Sequence, residues 1–210
     1  MQQPEVPVLE VNDWLKVFVP LAVAIYLIFY VLYLTRPKTY GGGKVFTVTN
    51  FWLILSGVIH SWIEMDFVFS RETSFIAKGL DLYAAADFRY SRPLESGTAA
   101  MEAITAILEG PLCVLVAFGA VSKASWRHPV QMVLCALQMY GLVWFTIHPL
   151  FTNEGYAGHF SADPVLFWVV AVGCNAPWGI VPPILFYQSF RHVCKACGTA
   201  AEGENKRKEK

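Results

Sequence analysis

Charged residues are scarce in this sequence. Asp, Glu, Lys and Arg make up 15% of the 210 residues, whereas 55% are hydrophobic and the mean hydropathy is +0.44. Soluble domains carry about 25% charged residues, so this composition excludes an ordinary soluble domain. The charges gather between apolar blocks, which predicts a membrane protein that crosses the bilayer several times. The formal net charge is zero, so nothing indicates nucleic acid as a partner.

Motifs for cofactors and metals are also missing. The chain has no GxGxxG, no haem-type Cys–His pair and no cluster of His boxes for iron. Its five cysteines give no disulfide framework. Cys194 and Cys197 form a lone CxxC, and without a second pair this spacing disfavours zinc. Reversible acylation near the membrane is favoured over a redox role for this pair. We therefore expect no cofactor and no metal.

Five apolar segments have the length of ~20 residues that a membrane-spanning helix needs. They lie at about 15–35, 46–69, 98–121, 129–151 and 164–190. The first lacks an A-x-A cleavage site and is too long for a signal sequence, so we expect it to be retained. The predicted fold is an all-α membrane protein, a five-transmembrane-helix bundle with an intramembrane ligand cavity. Residues 1–14 then form the N-terminus, 15–190 the helical domain and 191–210 a basic tail.

The distribution of Lys and Arg predicts the orientation. One side of the predicted bundle holds four of these residues and the other holds eleven. The richer side, which includes the tail from Arg191, should face the cytoplasm, and the N-terminus should then face the lumen. Lys206 and Lys208 stand five and three residues from the end, which fits a di-lysine retrieval signal of the endoplasmic reticulum. A solvated basic tail is the alternative.

Glu102 lies inside the third apolar segment, where a carboxylate costs several kcal/mol unless it faces a partner or a cavity. Burial favours the neutral form of a carboxyl group, so Glu102 can hold a proton and donate it. Thr105 is three residues away and can hydrogen-bond this carboxyl, although bonding to its own helix is the commoner case. Glu109 follows on roughly the same stripe, before Gly110-Pro111.

Two other segments carry polar or aromatic groups. His60 and Glu64 are four residues apart and share a helix face, so the carboxylate can raise the basicity of the imidazole. Asn175 can orient a carboxyl or an imidazole, and Trp178 offers a π face that attracts cations. Each group also has a structural alternative. His60 and Glu64 can be a polar pair that holds two helices together, the Asn175 side chain can hydrogen-bond a neighbouring helix, and Trp178 can be a packing residue. Pro177, with Pro182 and Pro183, predicts a kink that opens space beside these residues.

An acid, a His–Glu base and an aromatic face in an apolar cavity suggest proton addition to a hydrophobic substrate and proton removal from it. The intermediate would be a carbocation. Isomerisation of an alkene is redox-neutral, which agrees with the missing cofactor motifs.

Five motifs follow one another in a familiar order. They are Gly57-Val-Ile-His-Ser-Trp-Ile-Glu64, Tyr83-Ala-Ala-Ala-Asp-Phe-Arg-Tyr90, Met101-Glu-Ala-Ile-Thr105 with Gly110-Pro111, Gln138-Met-Tyr-Gly141 and Asn175-Ala-Pro-Trp178. From about residue 51 to 185 the chain resembles the emopamil-binding protein family, the sterol delta-8 to delta-7 isomerases.

The resemblance implies a five-helix fold in the membrane of the endoplasmic reticulum, with a cavity open to lipid. It implies that an acid protonates the ring alkene of a sterol, that the cation rests against the tryptophan and that a neighbouring proton is removed. The residues it assigns to catalysis are His60, Glu64, Glu102, Thr105, Asn175 and Trp178. We expect Glu102 and His60 to be the main proton-transfer groups, and which of them donates is left open.

The resemblance also implies residues that bind substrate. Asp87, Arg89 and Tyr90 match a family loop that caps the cavity or binds the sterol hydroxyl. Glu109, Tyr140 and Trp144 complete the predicted substrate-binding set. The expected partners are a sterol or terpenoid substrate, cationic amine inhibitors that imitate the cation, the lipid bilayer and a second copy of the chain in a homodimer.

Some positions depart from the family pattern. Asp66 and Glu109 stand where apolar or aromatic residues are usual, Leu142 replaces a commonly polar residue, and Pro177 directly before Trp178 is unusual. The two additional carboxylates support one alternative, a carbocation isomerase or cyclase acting on another polycyclic terpenoid. The second alternative is a non-catalytic binder of sterols or cationic amphiphiles, like the sigma-2 receptor relatives. A binder needs the cavity but not a paired acid and base.

Overall fold

The computed structural model describes residues 6–37 and 44–208, and in these residues the regular structure is helical, without a strand. Five helical segments are long and apolar enough to cross a membrane: Val11–Thr35, Val48–Ser70, Ser96–Ser122, Arg127–Phe151 and Leu166–Glu204. The predicted all-α fold with five spans is therefore confirmed. The predicted ends differ by a few residues in four spans, and the last helix continues well beyond residue 190.

The spans are built from regular and irregular turns. The α-helices are α1 (Val11–Thr35), α2 (Val48–Val58), α3 (Ala77–Ala86), α4 (Ser96–Ile104), α5 (Gly110–Ser122), α6 (Arg127–Ile147), α7 (Gly155–His159) and α8 (Gly173–Lys208). Wider π-helical turns occupy Ile59–Glu64, Asp66–Ser70, Thr105–Glu109 and Leu166–Val172. Short 3₁₀ turns occupy Phe88–Tyr90 and His148–Phe151. The π-helical turns thus interrupt three of the five spans.

Local sequence explains where several helices begin and end. The Thr47 hydroxyl accepts a hydrogen bond from the Asn50 N–H (3.0 Å) and caps the start of α2. The Glu95 carboxylate accepts from the N–H groups of Gly97 (2.9 Å) and Thr98 (2.6 Å) at the start of α4. These side chains satisfy donors that the first turn of a helix leaves without a partner. Lys123, with a φ of 54°, ends α5 in the left-handed conformation.

Two helix pairs form the body of the bundle, because α6 packs along α8 and α2 packs along α5. Gly57 is one point of close approach in the second pair. A Cβ atom there would lie 3.1 Å from both the Gly110 carbonyl oxygen and the Cys113 Cβ. Small residues allow membrane helices to approach in this way. The approach also places the π-helical turns at 59–64 and 105–109 against each other.

The connection at 70–97 is folded. It contains α3 and the 3₁₀ turn at Phe88–Tyr90, and α3 packs against α1 and against the π-helical turn at 166–172. Tyr90, Ala85 and Ala86 are buried there. The connection therefore closes one end of the bundle. The kink at Pro177 stays a prediction: α8 contains all three prolines, and π-helical turns lie just before Asn175.

Candidate active site

A cavity lies between the second, third, fourth and fifth spans. Its enclosed volume is about 90 Å³, and it opens into a wider space at its mouth. Its lining residues are His60, Glu64, Tyr90, Met101, Glu102, Thr105, Glu109, Gln138, Gly141, Leu142, Trp144, Phe145, Asn175 and Trp178. The structure thus brings together all six residues that we assigned to catalysis, although their catalytic roles stay predictions.

His60 lies at the centre of a chain of hydrogen bonds. Its Nδ1 is 2.6 Å from Glu64 Oε1, and the Trp178 indole N–H approaches its Nε2 at 3.3 Å. Because the indole nitrogen can only donate, Nε2 must accept, and the hydrogen of the neutral ring is then on Nδ1. Nδ1–H therefore donates to the Glu64 carboxylate. This tautomer leaves Nε2 as the basic atom of the imidazole.

Thr105 connects the two facing π-helical turns. Its hydroxyl is within hydrogen-bonding distance of Glu64 Oε2 and of the Glu102 main-chain oxygen, 2.9 Å away. A threonine hydroxyl carries one hydrogen, so it donates fully to one of these acceptors at a time. Of the two partners considered for Thr105, the structure shows the bond to its own helix and not the bond to the Glu102 carboxyl, and it adds Glu64 across the cavity wall as a second acceptor. Thr105 thereby holds the carboxylate that orients His60.

Glu102 has a partner from outside the membrane spans. The Tyr90 hydroxyl donates to Glu102 Oε1. Burial raises the pKa of Tyr90 well above its ordinary value, so this phenol stays protonated and remains a donor. Since the bond occupies Oε1, the other carboxyl oxygen is available to carry a proton. Tyr90 therefore fixes the orientation of the candidate acid.

Asn175 is held by groups other than those predicted. Its Nδ2 donates to the Tyr83 hydroxyl and to the Ala171 carbonyl oxygen, both at 2.8 Å. It contacts neither a carboxyl group nor an imidazole by a hydrogen bond among the residues that the structure describes. The Tyr83 ring in turn packs edge-on against Tyr90, with centroids 4.8 Å apart. Asn175 thus ties the last span to the two tyrosines of the 70–97 connection.

Trp178 belongs to an aromatic wall rather than to an interfacial belt. Its ring lies 5.2 Å from the Trp52 ring and 5.7 Å from the His60 ring, edge-on in both cases. Trp144 also lines the cavity, together with Phe145. A positive charge inside the cavity would therefore be close to electron-rich aromatic groups.

Glu109 is a third carboxyl group in the same cavity. It is 4% exposed, and its Oε2 lies 4.0 Å from His60 Nε2. The position is explained by the close approach of α2 and α5, which turns both π-helical segments towards each other. The other unusual carboxylate, Asp66, lies elsewhere: it accepts hydrogen bonds from Ser70 (2.9 Å) and Ser74 (2.6 Å). Asp66 is not among the cavity-lining residues, so it gives no support for a changed substrate.

Three of the predicted substrate-binding residues lie outside the cavity lining. Asp87 and Arg89 form a fully buried ion pair, with Nη2–Oδ2 at 2.7 Å and Nε–Oδ1 at 2.9 Å. Arg89 Nη1 also donates to the Phe145 carbonyl oxygen at 2.8 Å. Because these bonds occupy their polar atoms, the pair links the 70–97 connection to α6. Tyr140 is 65% exposed on the outer surface of α6.

Two site residues were missed at the sequence level. Gln138 lines the cavity and donates to Ser56 Oγ at 3.0 Å, and Tyr83 holds Asn175. Both residues belong to the motifs quoted above, and that membership was the only sign in the sequence that they are site residues. Their roles depend on partners about ninety residues away in sequence, and a local pattern does not reveal such partners.

The arrangement is suited to acid–base chemistry. One carboxyl oxygen of Glu102 and the Nε2 atom of His60 both reach the cavity, and each is held by a separate donor. The surrounding lining is apolar and aromatic, which excludes water and strengthens electrostatic interactions. No group of three or more His, Cys, Asp or Glu with the geometry of a metal site occurs in the described ranges.

Comparison with known proteins gives two kinds of similarity. The sequence profile of EBP: EXPERA, the expanded EBP superfamily, matches residues 75–189, more than half of the chain. The probable 3-beta-hydroxysteroid-Delta(8),Delta(7)-isomerase of Oryza sativa subsp. japonica is 31% identical over 152 residues, which cover 69% of this chain and 67% of the relative.

Further relatives fall into two groups. The 3-beta-hydroxysteroid-Delta(8),Delta(7)-isomerase of Mus musculus is 30% identical over 140 residues, 66% of this chain and 60% of the relative. The isomeliandiol synthase of Melia azedarach is 23% identical over 179 residues, 82% of this chain and 80% of the relative. The similarity thus extends to proteins whose names describe different products.

Proposed function

We propose that this chain, which belongs to the EXPERA (expanded EBP) superfamily, is an isomerase. It moves a ring double bond of a sterol from the delta-8 to the delta-7 position. The observation that carries the proposal is the cavity in which Glu102 and the His60–Glu64 pair face the same apolar space. The relatives named as sterol isomerases support the same reaction.

The reaction needs one proton donor and one acceptor. Glu102, oriented by Tyr90, delivers a proton to one carbon of the alkene, and the electron pair of the double bond forms the new C–H bond. The neighbouring carbon becomes a cation beside Trp178. His60 Nε2, once its lone pair is released from the Trp178 indole N–H, removes a proton from the adjacent carbon, and the electrons of that C–H bond form the shifted double bond. The imidazolium formed is stabilised by the Glu64 carboxylate at Nδ1.

The setting of this activity is part of the proposal. The helical domain at about 15–190 carries it in the endoplasmic reticulum membrane, as a step of sterol biosynthesis. The N-terminus faces the lumen and the tail at 191–210 faces the cytoplasm, as the excess of Lys and Arg on that side supports. Cationic amines bind in the cavity because they imitate the cation, and two copies of the chain form a homodimer.

The test is conversion of a delta-8 sterol by microsomes that carry this chain and lack any other isomerase. Wild type should form the delta-7 isomer. Glu102→Gln should lower kcat roughly 10²- to 10⁴-fold, the usual contribution of general acid–base catalysis. Glu72→Gln makes the same chemical change at a side chain that is 82% exposed and should leave the rate unchanged. Wild-type activity in the Glu102 variant would refute the assignment of the acid.

Glu109 favours a second candidate function. A third carboxyl group in the cavity, 4.0 Å from His60 Nε2, changes the surface that a substrate meets. The same carbocation chemistry would then act as an isomerase or cyclase on another polycyclic terpenoid. Wild type that binds a delta-8 sterol without converting it, but transforms a terpenoid alkene, would support this second function. Retained amine binding without any conversion would indicate a non-catalytic binder.

A further inference from the structure

Glu109 is the cavity carboxyl group whose hydrogen-bonding capacity is unused. Glu64 accepts from His60 and Thr105, and Glu102 accepts from Tyr90. Glu109 accepts no hydrogen bond from any residue in the ranges 6–37 and 44–208. The His60 Nε2 atom is 4.0 Å from Glu109 Oε2, which exceeds the length of a hydrogen bond.

The carboxyl oxygens of Glu109 face open space rather than packed protein. Neither is among the fully enclosed side-chain atoms that lack a hydrogen-bond partner in the described residues, so both remain accessible from the cavity. The side chain is 95% buried and lines the cavity. A partner that enters the cavity therefore explains why the carboxyl is retained there.

The lining indicates the chemistry of that partner. Around the polar groups, the cavity is formed by Met101, Leu142, Trp144 and Phe145, so the bulk of the ligand must be apolar. A hydroxyl both donates and accepts, and it can pair with a carboxyl group whether or not the carboxyl is ionised. An ammonium can only donate, so it requires the carboxylate. A neutral polycyclic alcohol fits both requirements.

The sequence predicted another site for the substrate hydroxyl, at the loop of Asp87, Arg89 and Tyr90. That site is already occupied by protein partners. Asp87 and Arg89 bond each other, and Tyr90 donates to Glu102. Glu109 is seven residues beyond Glu102 in the same span, and both side chains line the cavity. The two ends of a ring system can therefore reach both carboxyl groups.

We propose that Glu109 binds the ring hydroxyl of the substrate and thereby places the ring alkene between Glu102 and His60. This inference rests on the proposed function, because it assumes that the substrate is an alkene with a hydroxyl on its ring system. Glu109 acts in recognition and orientation, and it takes no part in the proton transfers. The cost of losing it should therefore depend on whether the ligand has the hydroxyl.

The experiment compares two probes on the full-length protein in nanodiscs: a delta-8 sterol with a free 3β-hydroxyl and its 3-deoxy counterpart, both tritiated. Equilibrium binding and conversion to the delta-7 isomer are measured separately. A hydrogen bond to a carboxylate corresponds to roughly 10- to 100-fold in affinity, so wild type should prefer the hydroxylated probe by this factor. In Glu109→Leu the preference should fall to about one- to threefold, because the remaining contacts are shared by both probes. Glu109→Gln keeps a hydrogen-bonding group and should retain part of it.

Asp66→Asn is the matched control, because Asp66 is the other unusual carboxylate and lies outside the cavity lining; it should keep the full preference. Equal binding of both probes by wild type overturns the inference, and so does an unchanged preference in Glu109→Leu. If that variant does not fold, the wild type and Glu109→Gln still decide the matter. Preference without conversion refutes the proposed function and supports recognition by Glu109. Conversion of both probes, bound with equal affinity, supports the proposed function and refutes recognition of the hydroxyl by Glu109.

Discussion

Replacing Asp87 by Asn should destabilise the protein strongly without a specific effect on substrate binding. Both side chains of the Asp87–Arg89 pair have no exposed surface. Asp87→Asn leaves the guanidinium buried without its counter-charge, although the bond from Arg89 to the Phe145 carbonyl oxygen remains. Removing one partner of a buried pair costs about 3–5 kcal/mol.

The double variant Asp87→Leu, Arg89→Met removes both charges but leaves two buried neutral groups without partners, the Phe145 carbonyl oxygen and the main-chain N–H of residue 89. At about 1–3 kcal/mol for each group, this variant should cost about 2–6 kcal/mol. The assay is thermal unfolding in detergent, followed by circular dichroism. For a chain of this size 1 kcal/mol shifts Tm by about 2–4 °C, so Asp87→Asn should lower Tm by roughly 6–20 °C. Glu72→Gln, in an exposed pair with Arg92, should change Tm by less than about 2–4 °C. An Asp87→Asn protein with wild-type Tm and a raised KM for sterol would refute this reasoning and place the pair in substrate binding.

Three further predictions concern the groups that position the site. Thr105→Val removes the donor to Glu64 and should lower kcat roughly 10- to 100-fold with little change in KM, as steady-state conversion will show; an unchanged kcat would exclude Thr105 from positioning the base. Tyr90→Phe leaves Glu102 without its donor and should lower kcat about tenfold; equal rates for variant and wild type would contradict the role of the phenol. Glu95→Ala should cost about 1 kcal/mol through loss of the cap of α4. Burial alone would raise the pKa of Glu95, but the backbone N–H groups that it accepts from lower it. The stabilisation is therefore complete above the unfolded pKa of about 4.3 and is lost as the pH falls through the lower folded value. The difference in Tm between wild type and Glu95→Ala should become smaller as the pH falls below about 4.3, and a difference that stays constant would contradict the lowered pKa of Glu95.

The helical spans were predictable because a bilayer requires about 20 apolar residues and satisfied backbone groups. Glu102 and the His60–Glu64 pair were predictable for a related reason, since an ionisable group inside a span needs a function or a partner. The π-helical turns at 59–64 and 105–109 were not predictable. They depend on the approach of two helices at Gly57, and hydropathy carries no information on that contact.

Partners distant in sequence were also beyond prediction. The Tyr90–Glu102 and Tyr83–Asn175 bonds exist because the 70–97 connection folds onto the end of the bundle. The same folding buries Arg89 against its neighbours in α6, which explains why residues expected to bind substrate pair with each other. Glu109 and Asp66 appeared equivalent as additional carboxylates, and only the structure shows that Glu109 lines the cavity and Asp66 does not.

The most direct test of acid–base isomerisation is the isotope content of the product formed in deuterated water. Purified protein in nanodiscs would be equilibrated in deuterium oxide, given an unlabelled delta-8 sterol, and the product analysed by mass spectrometry and NMR. Since Glu102 exchanges its proton with solvent before each turnover and His60 removes a different proton, the delta-7 product should carry one deuterium at the protonated ring carbon. A delta-7 product without deuterium would contradict protonation by an exchangeable acid.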